Sequence, residues 1–289
     1  TNQHVTSCSS TRLRRRTQPA FSPLTKGVSV EIKTMRGSPL KLRVLMRYLL
    51  LVTLAAFNAL NSSAHANEQF RYIFHDALTR DRASSIISHL EENYLSVMSN
   101  LGVTELPTVT VHLWTNYENL YVAQYERTGQ RFEGSSGLPW WDAVDGPEIL
   151  IVYDERYEGR RQHTIGLLHE FAHIVTIEVN PSIPNNPRWL WESVALYQAG
   201  DRRDLSRLEY IVTGDYPTIA ELDVGYNQAS ETRDIYQVGY SIAEYIVENW
   251  GQEGLNSLLQ TNGDTLNSLG ISSSEFESGW YAFVEDRYL

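Results

Sequence analysis

His169-Glu170-Phe171-Ala172-His173, followed by Arg188-Trp189-Leu190-Trp191-Glu192-Ser193-Val194-Ala195-Leu196-Tyr197, decides how this chain is read. Ile165, Leu168, Ala172 and Val175 recur at helical spacing, which predicts a helix over residues 161–179. Residues four apart on a helix share one face, so His169 and His173 can grip one metal ion together. Glu170 stands beside the first imidazole, where a carboxylate can take a proton from a metal-activated water. Pro181, Pro184 and Pro187 punctuate a loop that lets the chain reverse, and residues 188–197 read as a second helix. Returning antiparallel, that helix can set Glu192 beside the histidines. Two His and one carboxylate leave a fourth position open, as catalytic zinc sites do and closed structural sites do not.

Upstream of this pair the signals alternate between strand and helix. Phe70–Phe74 reads as a strand, residues 79–100 as a helix with an apolar stripe from Ile86 to Met98, and Thr108–Trp114 as a second strand. Asn116 is placed to cap a helix running to about Tyr125. Residues 129–146, with Gly134, Gly137, Pro139 and Gly146, read as loop, and Glu148–Tyr153 is the strongest strand signal in the chain. Beyond it only helical patterns occur. The expected fold is α+β: a small mixed sheet with helices in the N-terminal half (67–180, ending in the His-bearing helix), an all-helical C-terminal half (181–289), and a cleft between.

Charge is divided as sharply as structure. Residues 1–66 carry ten Lys/Arg and one acid, whereas residues 67–289 carry 14 Arg, no Lys and 34 acids, a net −20. An acidic body repels phosphates, so nucleic acid is not an expected partner. Residues 1–45 are polar and basic and are expected to be disordered or foreign to the natural product. Met46-Arg47-Tyr48 then opens a secretory signal over residues 46–66, with an apolar run from Leu49 to Phe57 and a small-residue site, Ala64-His65-Ala66. Cleavage after Ala66 would start the mature chain at Asn67, secreted or periplasmic and without a stable membrane anchor. The single cysteine, Cys8, lies in the leader, so the body has neither disulfide nor thiol ligand.

The HExxH pattern and the Trp-Leu-Trp-Glu-Ser-Val-Ala-Leu-Tyr run, whose Glu192 lies 19 positions after His173, resemble the gluzincin metallopeptidases. The likeness is to the small peptidase-MA-like proteins and to the catalytic domain of M1 aminopeptidases. It implies Zn²⁺ held by His169, His173 and Glu192, with Glu170 as general base. Ser193 stands where the family usually has Gly. Tyr236-Gln237-Val238-Gly239, opening a helical run to Trp250, resembles the Tyr-x-Lys-Gly of M1 enzymes, with Val238 in place of Lys. That implies Tyr236 as the donor to the oxyanion, with Tyr240 one turn later in reserve. The same resemblance implies that Glu148–Tyr153 is an edge strand that pairs with extended substrate. The Gly-x-Met-Glu-Asn motif of the aminopeptidases is missing; Trp140-Trp141-Asp142-Ala143-Val144 occurs in that region, which leaves endopeptidase action open.

Other candidates are weaker. Glu178 lies over 100° around the helix from His173, and His163 about 120° from His169. Asp142 and Asp145 are candidates for orienting a ligand imidazole. His75, His89 and His112 share no metal-binding spacing, and there is neither a Gly-x-Ser-x-Gly nor a phosphate-binding glycine loop. The expected function is therefore secreted, zinc-dependent hydrolysis of peptide or protein substrates, with a catalytically inactive zinc-fold protein that binds peptides or cell-envelope material as the rival.

Overall fold

The computed structural model describes residues 69–142, 144–224 and 234–289. The expectations for residues 1–45, for the signal over 46–66 and for cleavage after Ala66 lie outside the described residues. Those described fall within one compact unit, Ala64–Leu289.

The fold is α+β, as the strand and helix patterns predict. A four-stranded sheet is built from β1 (Phe70–Phe74), β2 (Val109–Trp114), β3 (Gly137–Asp142) and β4 (Gly146–Val152), in the order β1-β2-β4-β3. β1, β2 and β4 are mutually parallel, and β3 runs antiparallel to β4. Parallel neighbours need a crossover, which α1 (Ser84–Asn100) and α2 (Tyr117–Thr128) supply. Val109, Val111, Leu113, Ile149 and Ile151 face the main core, whereas Leu150 and Val152 face a smaller cluster closed by Leu120 and Ala123 of α2. Burial on both faces explains why β4 reads as an uninterrupted apolar run.

The helix boundaries follow from local chemistry. Residues 80–83 form turns, so α1 starts at Ser84 and not at 79. Asn116 caps α2 as expected, accepting the N–H groups of Glu118 and Asn119. That helix runs three residues past Tyr125 because Gly129, in the left-handed region at φ 71°, supplies its C-terminal turn.

Two expectations are corrected in the hairpin. Residues 129–146 are not all loop: Gly137–Asp142 forms β3, paired to β4 from Gly137↔Ile151 to Asp142↔Gly146. β4 is consequently an interior strand, and the edges of the sheet are β1 and β3. The Asp145-Gly146 dipeptide, a hairpin-turn signal ahead of a strong strand, is the feature that marks this pairing.

The C-terminal half is helical. α3 (Arg161–Val179) packs on the sheet, and α4 (Arg188–Gln198) packs on α3 and on α7 (Ile235–Gln260); α5 (Glu209–Val212) and α6 (Ile219–Leu222) are short. α7 bends at Gly251, whose φ of 67° ends the regular run at Trp250. α8 (Thr265–Leu269) and α9 (Ser273–Tyr288) close the chain, with Phe276, Trp280 and Val284 of α9 fully buried. Among the described residues no helix is long and apolar enough to cross a membrane.

Candidate metal centre

α3 presents His169 and His173 one turn apart, and the reversal at Asn180 brings α4 back alongside. Asn180 secures that reversal: its side-chain amide donates to Leu259 O at 2.7 Å and to Asn262 Oδ1 at 2.8 Å, and its Oδ1 accepts from Ser182 N. Pro187 gives α4 no side-chain cap, and Asp223 fills that role, its Oδ1 accepting the Arg188 N–H at 2.7 Å. Trp191 ties the two helices together. Its Nε1 donates to Thr176 Oγ1 at 3.0 Å, and its ring lies 3.9 Å from that of His173.

Glu192 arrives beside both histidines. His169 Nε2 and His173 Nε2 are 3.1 Å apart, and Glu192 Oε2 lies 3.4 Å from the first and 3.5 Å from the second. A tetrahedral ion bound at about 2.0–2.1 Å has ligand–ligand edges of roughly 3.3–3.4 Å. Three ligand atoms therefore already stand at metal-site separation, and Glu192 Oε2 is buried without a hydrogen bond among the described residues. These residues could hold a metal ion. No other group of three His, Cys, Asp or Glu among the described residues converges in this way.

Electrostatics agree with that geometry. Burial pushes the Glu192 carboxyl up, yet the two imidazoles beside it hold it well below the usual carboxylate range. Burial lowers His173 to about 4, leaving it neutral and able to ligate. His169 moves the other way, because Glu192 outweighs its own burial. Burial raises the Glu170 carboxyl to about 7.

The centre opens into a cavity of about 460 Å³ walled by Glu170, Arg188, Asp201, Tyr236 and the Ser135–Pro139 segment. Glu170 lies directly against Gly137 of β3, where a Cβ would overlap its carboxylate. Tyr236, in the first turn of α7, donates its hydroxyl to Glu192 Oε1 at 3.0 Å. Burial and the Glu192 charge push the Tyr236 phenol far up, so it stays protonated and a donor. Arg188 holds the ring from behind, its guanidinium 5.3 Å from the ring centre and 3.9 Å from Asp234, the residue that caps α7.

The structure thus brings together His169, His173, Glu192, Glu170 and Tyr236, while Tyr240 packs on Tyr197 away from the cavity. Ser193 fits without strain. It is fully buried, its Oγ donates to Trp189 O at 2.6 Å, and it faces Gly239 of α7, which has no side chain to oppose it. Val238, in the place of the family's Lys, is core. Glu178 is exposed beyond the end of the cavity, and His163 packs on the Tyr153 ring. Asp142 pairs with Gly146 in the hairpin, well along β3 from Gly137. His75 and His112, which share no metal-binding spacing in sequence, are neighbours in the fold. Adjacent parallel strands bring them together, with His75 Nε2 3.1 Å from His112 Nδ1 and both rings stacked with Trp114. Sequence reading passed over Gly137, Trp191, Arg188 and Asp223, whose roles come from contacts between separate elements.

No protein-family model matches the chain, and no curated protein matches it either.

Proposed function

We propose that this protein is a zinc-dependent peptidase of gluzincin type that hydrolyses peptide bonds in the cavity between β3 and the α3–α4 pair. The observation that carries this reading is the triangle of His169 Nε2, His173 Nε2 and Glu192 Oε2, with edges of 3.1, 3.4 and 3.5 Å and Glu170 on the cavity wall beside it. Bound there, Zn²⁺ would supply a Lewis acid that polarises a carbonyl and acidifies a water.

The protein groups supply the rest. Glu170, poised at about 7, can accept a proton near neutral pH and pass it on to a departing amine. Gly137, which has no Cβ, leaves room for the Glu170 carboxylate against β3. Tyr236 keeps its proton and offers a fixed donor on the wall opposite, able to leave Glu192 for a developing oxyanion. Buried Trp191 closes the floor and keeps the His173 ring in place.

Metal content of the purified full chain, measured alongside digestion of a peptide library, tests the reading. One zinc per chain, cleavage abolished by chelator, and a Glu170→Gln variant that keeps the metal but loses cleavage are expected. Stoichiometric zinc with no turnover of any peptide would replace it with a non-catalytic zinc-fold binding protein.

A further inference from the structure

We infer that the open edge of β3 carries a side-chain pocket that selects substrates with a large apolar or aromatic residue. This deepens the peptidase reading and rests on it. A second cavity, of about 550 Å³, runs on from the metal-site cavity, and Phe132, Leu138, Pro139, Asn185 and Trp191 line both.

Its floor is the strand edge. Val152 N–H donates to Ser136 O at 2.9 Å, and the register continues through Leu138↔Leu150 and Trp140↔Glu148. Antiparallel pairing alternates, so residues 136, 138 and 140 turn their backbone groups toward β4, and Gly137, Pro139 and Trp141 turn theirs outward. Pro139, which has no N–H, stands at an outward position, where the sheet asks for none.

The walls are apolar. Trp140 and Trp141, both half-buried, line it from the two faces of the strand, Trp140 packed on the smaller cluster and Trp141 on the main core, and Ile177, Pro181 and Pro184 line it from the end of α3 and the loop beyond. The one charged lining residue, Glu178, is exposed. Such a pocket releases water around an apolar side chain, whereas an amide or carboxylate finds only Thr128, Asn185 and the exposed Glu178 as polar neighbours. Glu178 and the net −20 of the body also oppose an acidic side chain. A peptide laid along the β3 edge from the metal centre would put a side chain into this space. Burying Phe or Leu there, relative to Ser or Asp, corresponds to about a 10- to 100-fold gain in kcat/KM.

Peptides that differ only by Phe, Leu, Ser or Asp at each position flanking the cleaved bond test the pocket with the full chain. The expected result is that preference at one position. Ile177→Asp and Trp140→Ala, each checked for an unchanged melting transition, should lower kcat/KM for the Phe peptide about tenfold more than for the Ser peptide. Binding of the same peptides to Glu170→Gln, followed by fluorescence polarisation, gives a readout free of turnover. Equal cleavage of the Phe and Ser peptides by wild type overturns the pocket and leaves the peptidase reading standing. No cleavage, together with selective binding of the Phe peptide, removes the peptidase reading and supports the pocket. Binding of an oligosaccharide but of no peptide overturns both.

Discussion

Gly137 of β3 and Glu170 of α3 are in contact at a distance that only a glycine allows, because a Cβ on residue 137 would fall within the Glu170 carboxylate. Gly137→Ala must therefore push that carboxylate aside, while the nearest atoms to the added Cβ all belong to Glu170 and none to His169, His173 or Glu192. A displacement of about 1 Å at a reacting group can cost on the order of 100-fold in rate. The expected outcome is a fall in kcat of about 10- to 100-fold with metal content unchanged, measured by elemental analysis and single-peptide kinetics. Loss of metal in parallel with rate would refute this separation.

Burial disfavours the charged form of Glu170. Its pKa rises from the usual 4.5 to about 7 on folding of the metal-free chain, mainly through burial. The unfolded chain releases this proton first, so the contribution is full below pH 4.5 and is lost as pH climbs through about 7. Glu170→Gln removes the penalty. Metal-free Glu170→Gln should be more stable than metal-free wild type by about 1–3 kcal/mol at pH 8, with little difference at pH 4.5. Urea unfolding at the two pH values measures it.

Ser193 and Gly239 form a matched pair across α4 and α7. A Cβ at 239 would sit 2.8 Å from Leu196 Cδ1 and 3.1 Å from Ser193 Oγ. Gly239→Ala is expected to destabilise by about 1–3 kcal/mol through overpacking. Ser193→Gly in the same chain should return part of that loss, a coupling of about 0.5 kcal/mol or more in a double-mutant cycle. Purely additive changes in melting would show that Leu196 and Ile235 set the limit.

The His75–His112 pair predicts a loss of stability in acid. Burial is the main cause that lowers both, with Arg127 adding to it; Asp76 and Glu148 pull the other way without reversing the sign. The unfolded chain then takes up protons before the folded one does, so stability is full above pH 6.5 and declines as pH falls below it. His112→Gln should flatten that decline in thermal scans between pH 7 and 5. An unchanged slope would assign the acid sensitivity elsewhere.

The parts legible from sequence are those that local pattern decides. His169 and His173 share a helix face by spacing alone, and the proline-marked reversal is enough to predict that Glu192 meets them. The crossover strands and Asn116 at the start of α2 are equally local. What sequence concealed arises between segments. β3 reads as loop because Gly137 and Pro139 are poor strand formers; the open edge tolerates Pro139, and the Glu170 carboxylate requires Gly137. The assignment of β4 as the edge failed for the same reason, since its partner was not recognised. His75 and His112 share no sequence spacing because two parallel strands, 37 residues apart, bring them together.

His169, His173 and Glu192 come from residues 169–192, a short contiguous piece of chain, whereas the Glu170 carboxylate also packs against Gly137 of a hairpin formed earlier in sequence. On the proposed function, ion capture and proton transfer would therefore depend on different packing partners. A lineage could change the hairpin, silence the chemistry and still keep the ion, or retune the rate without touching affinity for the ion. Substitutions in residues 135–141 are where activity would drift between relatives of this fold, and the helix pair is where the ion would be lost.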